Sequence, residues 1–351
     1  MSPGHPMRIA VDAMGGDFAP QKIVEGAVLA AREWNVPIVL VGLHSAIEFE
    51  LSKYDISGLS VTIQNATQVI GMEHSPSKAT KTMHDASIVV ATRLLHEKKV
   101  DAVVSAGNSG AVMTAALRFL GRIHGVYRPA ITTVLPTING HCLIADAGAN
   151  ADCKPEYLLQ FAIMAKIAAQ TILDIEKPTV GLLSIGEEKE KGNHLTKKTY
   201  ELLKNCRDIH FIGNVEGRDI PKGKSDVVVC DGFVGNVVLK TMEGTADAMS
   251  RMLKKEISSS WVAKAGYLLT RPAIKRFRKR VDYAEYGGAP LLGVNGACII
   301  SHGKSTAKAV KNAVRMAKVV VEKKVLDRIH SEIETFAVPH PHPESHIQAA
   351  V

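Results

Sequence analysis

Disulfides, membrane spans and nucleotide motifs are all missing from this sequence, and each absence removes a class of function. The five cysteines, Cys142, Cys153, Cys206, Cys230 and Cys298, are scattered and include no C-x-x-C pair. An odd, dispersed set excludes a disulfide framework and speaks against a zinc site. No apolar run reaches the roughly 18–20 residues that cross a bilayer. Met1 to Met7 also lacks the basic n-region and apolar core of a signal peptide, so a cytoplasmic location is expected. Gly303-Lys304-Ser305-Thr306 has the ending of a P-loop, but Cys298 stands where its first glycine belongs. No G-x-G-x-x-G follows a strand, and no serine sits in a G-x-S-x-G elbow. NAD and ATP are disfavoured, and neither a cofactor nor a metal is expected.

What is present is an ordinary globular composition, 46% hydrophobic and 22% charged over 351 residues, enough to bury a substantial core. The formal charge of +8 is concentrated in one place. Arg251 to Arg280 holds ten Lys/Arg against one acid, Glu256, so the rest of the chain is close to neutral. A nucleic-acid protein would spread basic charge over a reading face, and no nucleic-acid partner is expected. One basic segment instead suits an anionic membrane surface or an acidic protein. Met249, Leu253, Ile257 and Trp261 recur every fourth residue as one helical stripe. Pro272 is expected to break the pattern. Ile274, Phe277 and Val281 then make a second stripe among Lys275, Arg276, Arg278, Lys279 and Arg280. Residues 245–283 therefore predict a basic amphipathic helical hairpin that is peripherally membrane-associated, with Trp261, Leu268, Leu269, Lys275, Arg276 and Phe277 as contacts. The plainer alternative is a helix pair packed in a dimer, its basic face solvated.

Strand-like and helix-like stretches alternate along the chain. Met7–Val11, Pro37–Val41, Val61–Ile63, Ala102–Val104, Ile131–Leu135, Cys142–Ala145, Val180–Ile185, Ile209–Ile212 and Asp226–Cys230 read as strands. Ala86–Leu95, Ala111–Leu120 and Tyr157–Leu173 read as helices, and Ile23, Ala27, Ala30 and Ala31 give another its apolar face. This alternation predicts a three-layer α/β fold with a mostly parallel sheet covered on both faces. A single domain over 7–335 is expected, with 1–6 and the His/Pro-rich 336–351 as flexible tails.

In parallel sheets, ligands bind beyond the carboxyl ends of strands. Six such ends carry glycine-bearing polar turns: Asp12–Asp17, Ser105–Ala111, Asp146–Asn150, Gly186–Asn193, Gly213–Gly217 and Asp231–Asn236. Glycine lets a ligand approach backbone N–H groups, and a helix N-terminus behind it favours an anion. Each turn alone is no more than a turn or a helix cap; together they predict a phosphate or other anion site. Cys230 beside Asp231 reads as a small buried strand residue rather than a nucleophile.

These turns, with Tyr286-Gly287-Gly288-Ala289-Pro290-Leu291-Leu292-Gly293, resemble in order those of the phosphate acyltransferases of bacterial phospholipid synthesis, from about Met7 to Ile333. The resemblance implies a fold similar to the isocitrate/isopropylmalate dehydrogenase and phosphotransacetylase group, working as a homodimer. It implies transfer of a long acyl chain from acyl carrier protein to inorganic phosphate. The acyl phosphate would pass to a membrane glycerol-3-phosphate acyltransferase. Ser109 stands where threonine is expected, a swap that keeps the hydroxyl.

Such a reaction needs two held partners and neutralised charge rather than a covalent intermediate. Lys191, matched to the family's G-E-E…K-G pattern, is the expected cation, and Asn236 the expected oxyanion donor unless it is only a helix cap. The turns supply the expected substrate-binding set: Asp12, Gly15, Gly16, Asp17, Asn108, Ser109, Asp146, Asn150, Glu187, Asn214, Glu216, Asp231, Gly232, Phe233 and Gly235. Asp12, Asp17 and Asp231 would repel phosphate if charged and unpaired, and are expected to orient lysines and loop N–H groups or to shape the site's pKa values. Two competitors remain: a short-chain phosphate acetyl- or butyryltransferase using coenzyme A, and a non-catalytic membrane-recruited scaffold.

Overall fold

The computed structural model describes residues 7–281 and 283–335, the side chains at 278, 279, 281 and 283 excepted. The two expected tails and part of the second apolar stripe lie outside the described residues. Along the chain run β1 (Ile9–Asp12), α1 (Gln21–Trp34), β2 (Ile38–Gly42), α2 (His44–Leu51), β3 (Val61–Asn65), α3 (Pro76–Thr82), α4 (Ser87–His96), β4 (Ala102–Ser105) and α5 (Ser109–Phe119). Next come β5 (Ala130–Thr137), β6 (Gly140–Ala145), α6 (Pro155–Ile172), β7 (Thr179–Leu183), α7 (His194–Asn205), β8 (His210–Val215) and β9 (Val227–Val229). The last part holds α8 (Gly232–Ser259), α9 (Trp261–Val281), β10 (Ala289–Leu292), β11 (Ala297–Ile300), α10 (Ala307–Glu322) and α11 (Val325–Thr335).

Eleven strands form one sheet in the order β3-β2-β1-β4-β11-β10-β5-β6-β9-β7-β8. Pairing is parallel except where β10 meets β11 and β5, and where β5 meets β6. Those three antiparallel contacts reverse the sheet midway. The strands from β3 to β11 run one way, and β6, β9, β7 and β8 run the other. The six polar turns therefore do not share one edge, as a wholly parallel sheet would require. The ends of β1 and β4 belong to one half-sheet, and the ends of β6 to β9 to the other.

Each face of the sheet carries its own apolar layer. On one face α6 is buried on nearly all sides, with Phe161, Ile163, Met164 and Ile167 at most 1% exposed. Each such side chain stabilises the fold by roughly 1.5–3 kcal/mol. The same layer takes in Val310, Ala313, Val314 and Ala317 of α10 and the apolar face of α1.

The basic segment is a helical hairpin, but its break is not at Pro272. Helix α8 ends at Ser259, Ser260 is extended (φ −131°, ψ 139°), and α9 runs through Pro272 to Val281. Proline in a helix interior forfeits one backbone bond. An exposed helix tolerates the loss because its freed carbonyl stays hydrated, and both Leu268 and Leu269 are exposed.

Candidate active site

The end of β1 folds onto the end of β4 through a buried carboxylate. Asp12 is 2% exposed and accepts the Ser105 Oγ–H at 2.7 Å and the Met14 N–H at 3.2 Å. Burial pushes its pKa up, opposed by hydrogen bonds from Ser87, Ser105, Met14 and Gly15. A Cβ on Gly15 would fall 2.7 Å from the Gly107 nitrogen, so the two turns are in contact. Gly16 has φ +105°, and the Asp17 N–H donates to the Gly303 carbonyl at 2.8 Å. Asn108 caps α5, accepting from the Ala111 N–H, and its Nδ2 reaches back to the Gly71, Met72 and His74 carbonyls at 3.4 Å. Asp12, Gly15 and Asn108 thus hold the turn together, while Ser109 is exposed.

The second half-sheet has its own organiser. Asp146 is fully buried and accepts five hydrogen bonds: from the N–H groups of Ile131, Gly148, Ala149 and Asn150, and from Asn150 Nδ2. Burial raises its pKa against those donors. Asn150 also donates to the Pro129 carbonyl, and its own carbonyl accepts the Gly232 N–H at 2.7 Å. Asp231 caps α8 through the Val234 N–H at 2.9 Å. Asn236 is therefore not the cap. It sits in the second turn of α8, exposed, with its side chain over Gly148. Phe233 is 65% exposed. Cys230 is buried, its thiol pushed well up by desolvation.

Because β9 lies between β6 and β7, the Gly186–Asn193 turn neighbours the Asp231–Asn236 turn. Within it Glu187 pairs with Lys224 at 2.7 Å and Lys189 with Glu201 at 2.8 Å. Asn214 is 4% exposed and donates to the Glu188 carbonyl at 2.9 Å, fixing the loop from β8. Glu216 pairs with Arg218 and forms a reciprocal cap with Asp219. Lys191 is exposed, and among the described residues no carboxylate pairs with it. It does not line the cavity that holds Asn236.

That cavity measures about 1550 Å³, above the roughly 300–1,000 Å³ usual for small-molecule sites. Its lining includes polar groups from three turns: Ser109 after β4, Asn236 with Gly148, and Ser301, His302 and Ser305 after β11. The Ser301 N–H donates to the Ser105 carbonyl at 2.8 Å, which brings the β11 and β4 turns side by side. Its walls are largely apolar: Ile131, Val134 and Leu135 of β5 face Leu239, Met242, Met249 and Leu253 of α8. Lys275, Phe277 and Arg280 of α9 complete it. His302, Lys240 and Glu243 are absent from the candidates drawn from sequence. His302 follows a strand whose four residues carry no alternation, though the strand-end rule would have found it once β11 was seen. Lys240 and Glu243 lie four and seven residues beyond Asn236, on the same helical face.

Trp261, Leu268 and Leu269 are 80%, 67% and 85% exposed, with Trp261 at the hairpin tip. By helical rise Lys275 stands about 21 Å along α9 from Trp261 and about 9 Å from Leu269, with Arg276 and Phe277 following it. Among the described residues no helix is long and apolar enough to cross a membrane.

Residues 7–328 match the family model described as "Fatty acid synthesis protein". Among curated relatives, the phosphate acyltransferase of Pelotomaculum thermopropionicum is 53% identical over 95% of this chain and 96% of its own. That of Geobacter sulfurreducens is 52% identical over 94% and 95%. In three dimensions the chain is similar to a phosphotransacetylase from Streptococcus pyogenes (TM-score 0.59, 15% identity, 92% of this chain and 95% of that one). A branched-chain phosphotransacylase from Enterococcus faecalis aligns at TM-score 0.57 and 13% identity, over 90% and 99%. These two likenesses show the fold: a large, mostly parallel α/β sheet of the phosphotransacetylase type. With its six glycine-bearing turns in place and half its residues shared with curated members, the chain belongs to the phosphate acyltransferase family of fatty acid and phospholipid synthesis.

Proposed function

We propose that this acyltransferase moves a long-chain acyl group from acyl carrier protein to inorganic phosphate, releasing acyl phosphate for a membrane glycerol-3-phosphate acyltransferase. The observation that carries the proposal is the cavity, whose lining joins Asn236 and Ser109 to an apolar wall from β5 and α8. An acetyl group would leave that wall empty; a long acyl chain would cover it. Burying the chain's methylenes contributes about 0.8 kcal/mol each.

In the reaction an oxygen of hydrogen phosphate attacks the thioester carbonyl carbon. The new C–O bond forms as the carbonyl π pair moves to oxygen. Collapse breaks the C–S bond, the sulfur keeps the pair, and the proton that phosphate brought ends on the thiol. The Asn236 carboxamide is suited to donate to the tetrahedral oxygen, a contact whose loss typically raises the barrier by roughly 3–4 kcal/mol. Lys191, exposed on the neighbouring strand end, is assigned as a cation for phosphate approaching from solvent. Ser109 lines the cavity with Asn236, and the buried Asn214 fixes the loop that carries Lys191 through the Glu188 carbonyl.

The exposed Trp261, Leu268 and Leu269 on a basic helix support peripheral attachment to anionic lipid. The exposed Met249, Met252 and Leu253 of α8 support a homodimer. A donor comparison tests the catalytic proposal. Long-chain acyl carrier protein should be consumed with phosphate at least tenfold faster than acetyl-coenzyme A. Preference for acetyl-coenzyme A would favour the short-chain transferase, and no phosphate-dependent thioester loss with either donor would favour the scaffold.

A further inference from the structure

One turn beyond Asn236 on α8, Lys240 lines the same cavity. Side chains four apart on a helix stand about 5–6 Å from each other at Cβ. The Lys240 ammonium lies 2.8 Å from Glu243 Oε2, and the Glu243 side chain is only 18% exposed. His302 faces the pair from the turn after β11, its Nε2 3.9 Å from the same Glu243 oxygen. Its Nδ1 accepts the Lys304 N–H at 3.0 Å, so the neutral ring carries its proton on Nε2. Burial, then Lys240, pushes the His302 pKa down, while Glu243 and Asp17 oppose them. The group in the cavity lining thus pairs one lysine with one carboxylate beside a neutral imidazole.

A phosphate dianion entering a partly desolvated cavity needs a cation at the point of attack. An ammonium has three donors, and Glu243 accepts one of them. We infer that Lys240 is the cation that holds the phosphate nucleophile next to Asn236, with Glu243 as the positioning residue that fixes its ammonium. The inference rests on phosphate being the acyl acceptor. Within that reaction it divides the work of the two lysines. Lys240 binds phosphate at the reacting carbon, while Lys191, outside the cavity, meets it earlier.

Steady-state kinetics of Lys240→Met, Lys240→Arg, Glu243→Gln and Lys191→Ala, with phosphate and acyl carrier protein substrates varied separately, tests this. Lys240→Met should raise the phosphate KM at least tenfold and leave the acyl-donor KM within twofold. Lys240→Arg should recover most of the phosphate affinity. Glu243→Gln should do the opposite of Lys240→Met, holding or lowering the phosphate KM while kcat falls, because the cation is freed but no longer fixed. A merely structural ion pair would give Lys240→Met and Glu243→Gln the same fall in melting temperature with no change in phosphate KM, and that result overturns the inference. So does a phosphate KM that moves only in Lys191→Ala. Wild-type enzyme with no phosphate-dependent turnover would refute the proposed reaction itself and this inference with it.

Discussion

A Cβ placed on Gly235 would fall 1.9 Å from the Asp146 carbonyl oxygen, and one on Gly232 would fall 2.7 Å from Asp146 Oδ2. Both glycines are required because α8 starts directly against the turn that the buried Asp146 organises. Gly235→Ala should therefore cost about 3 kcal/mol or more of unfolding free energy, at the upper end for overpacked sites. Gly244→Ala in the same helix meets nothing within 4 Å and should gain about 0.5–1 kcal/mol. Urea denaturation of the two variants checks this, and equal effects would mean that the turn yields easily. The sequence shows glycines and acids at strand ends, and a carboxylate there is expected to orient loop N–H groups. Asp12, Asp146 and Asp231 accept backbone N–H groups of their own turns. Asn236 is distinguished from a cap only by knowing that α8 begins four residues earlier.

Elements with strong periodicity were legible. The helices expected at 86–95, 111–120 and 157–173 form within two residues of those bounds, and the expected strands end within three. Short elements were not. β10 and β11 have four residues each in a glycine-rich stretch, too few for a period to show. The reversal of the sheet was not legible from β10, yet its β5–β6 hairpin joins two strands that were expected. Pro272 misled because a local rule was applied to an exposed helix that can satisfy its carbonyl in water. At this scale the hairpin carries a prediction. Trp261→Ser with Leu269→Ser should weaken binding to anionic vesicles at least tenfold, since each large apolar side chain contributes roughly 1.5–3 kcal/mol on burial. Added salt should weaken the parent protein's binding as well. Cosedimentation unchanged by the double substitution and by salt would leave the hairpin as a packing surface only.

Across the whole molecule, two half-sheets of opposite direction meet across β10 and β5, and the cavity lies where their polar turns and the α8–α9 hairpin come together. That meeting depends on the antiparallel contact of β10 with β5, two segments distant in the chain, whereas β10–β11 and β5–β6 are local hairpins. The charge distribution was legible at this scale: nearly all of the net +8 sits on the hairpin, beside an otherwise near-neutral body. The fold was thus readable from repeated patterns, whereas the apolar cavity and the Lys240–Glu243–His302 group needed three dimensions. The central claim is that Asn236, in the lining of an acyl cavity, stabilises the transition state of acyl transfer to phosphate. Its most direct test is to measure acyl phosphate, trapped with hydroxylamine, against free carrier-protein thiol in wild-type and Asn236→Ala protein. The account predicts equal, phosphate-dependent yields of both products in the wild type. In Asn236→Ala it predicts a loss of about 100–1,000-fold in kcat with the melting temperature nearly unchanged. Thiol release that ignores phosphate, or an Asn236→Ala variant that turns over normally, would contradict it.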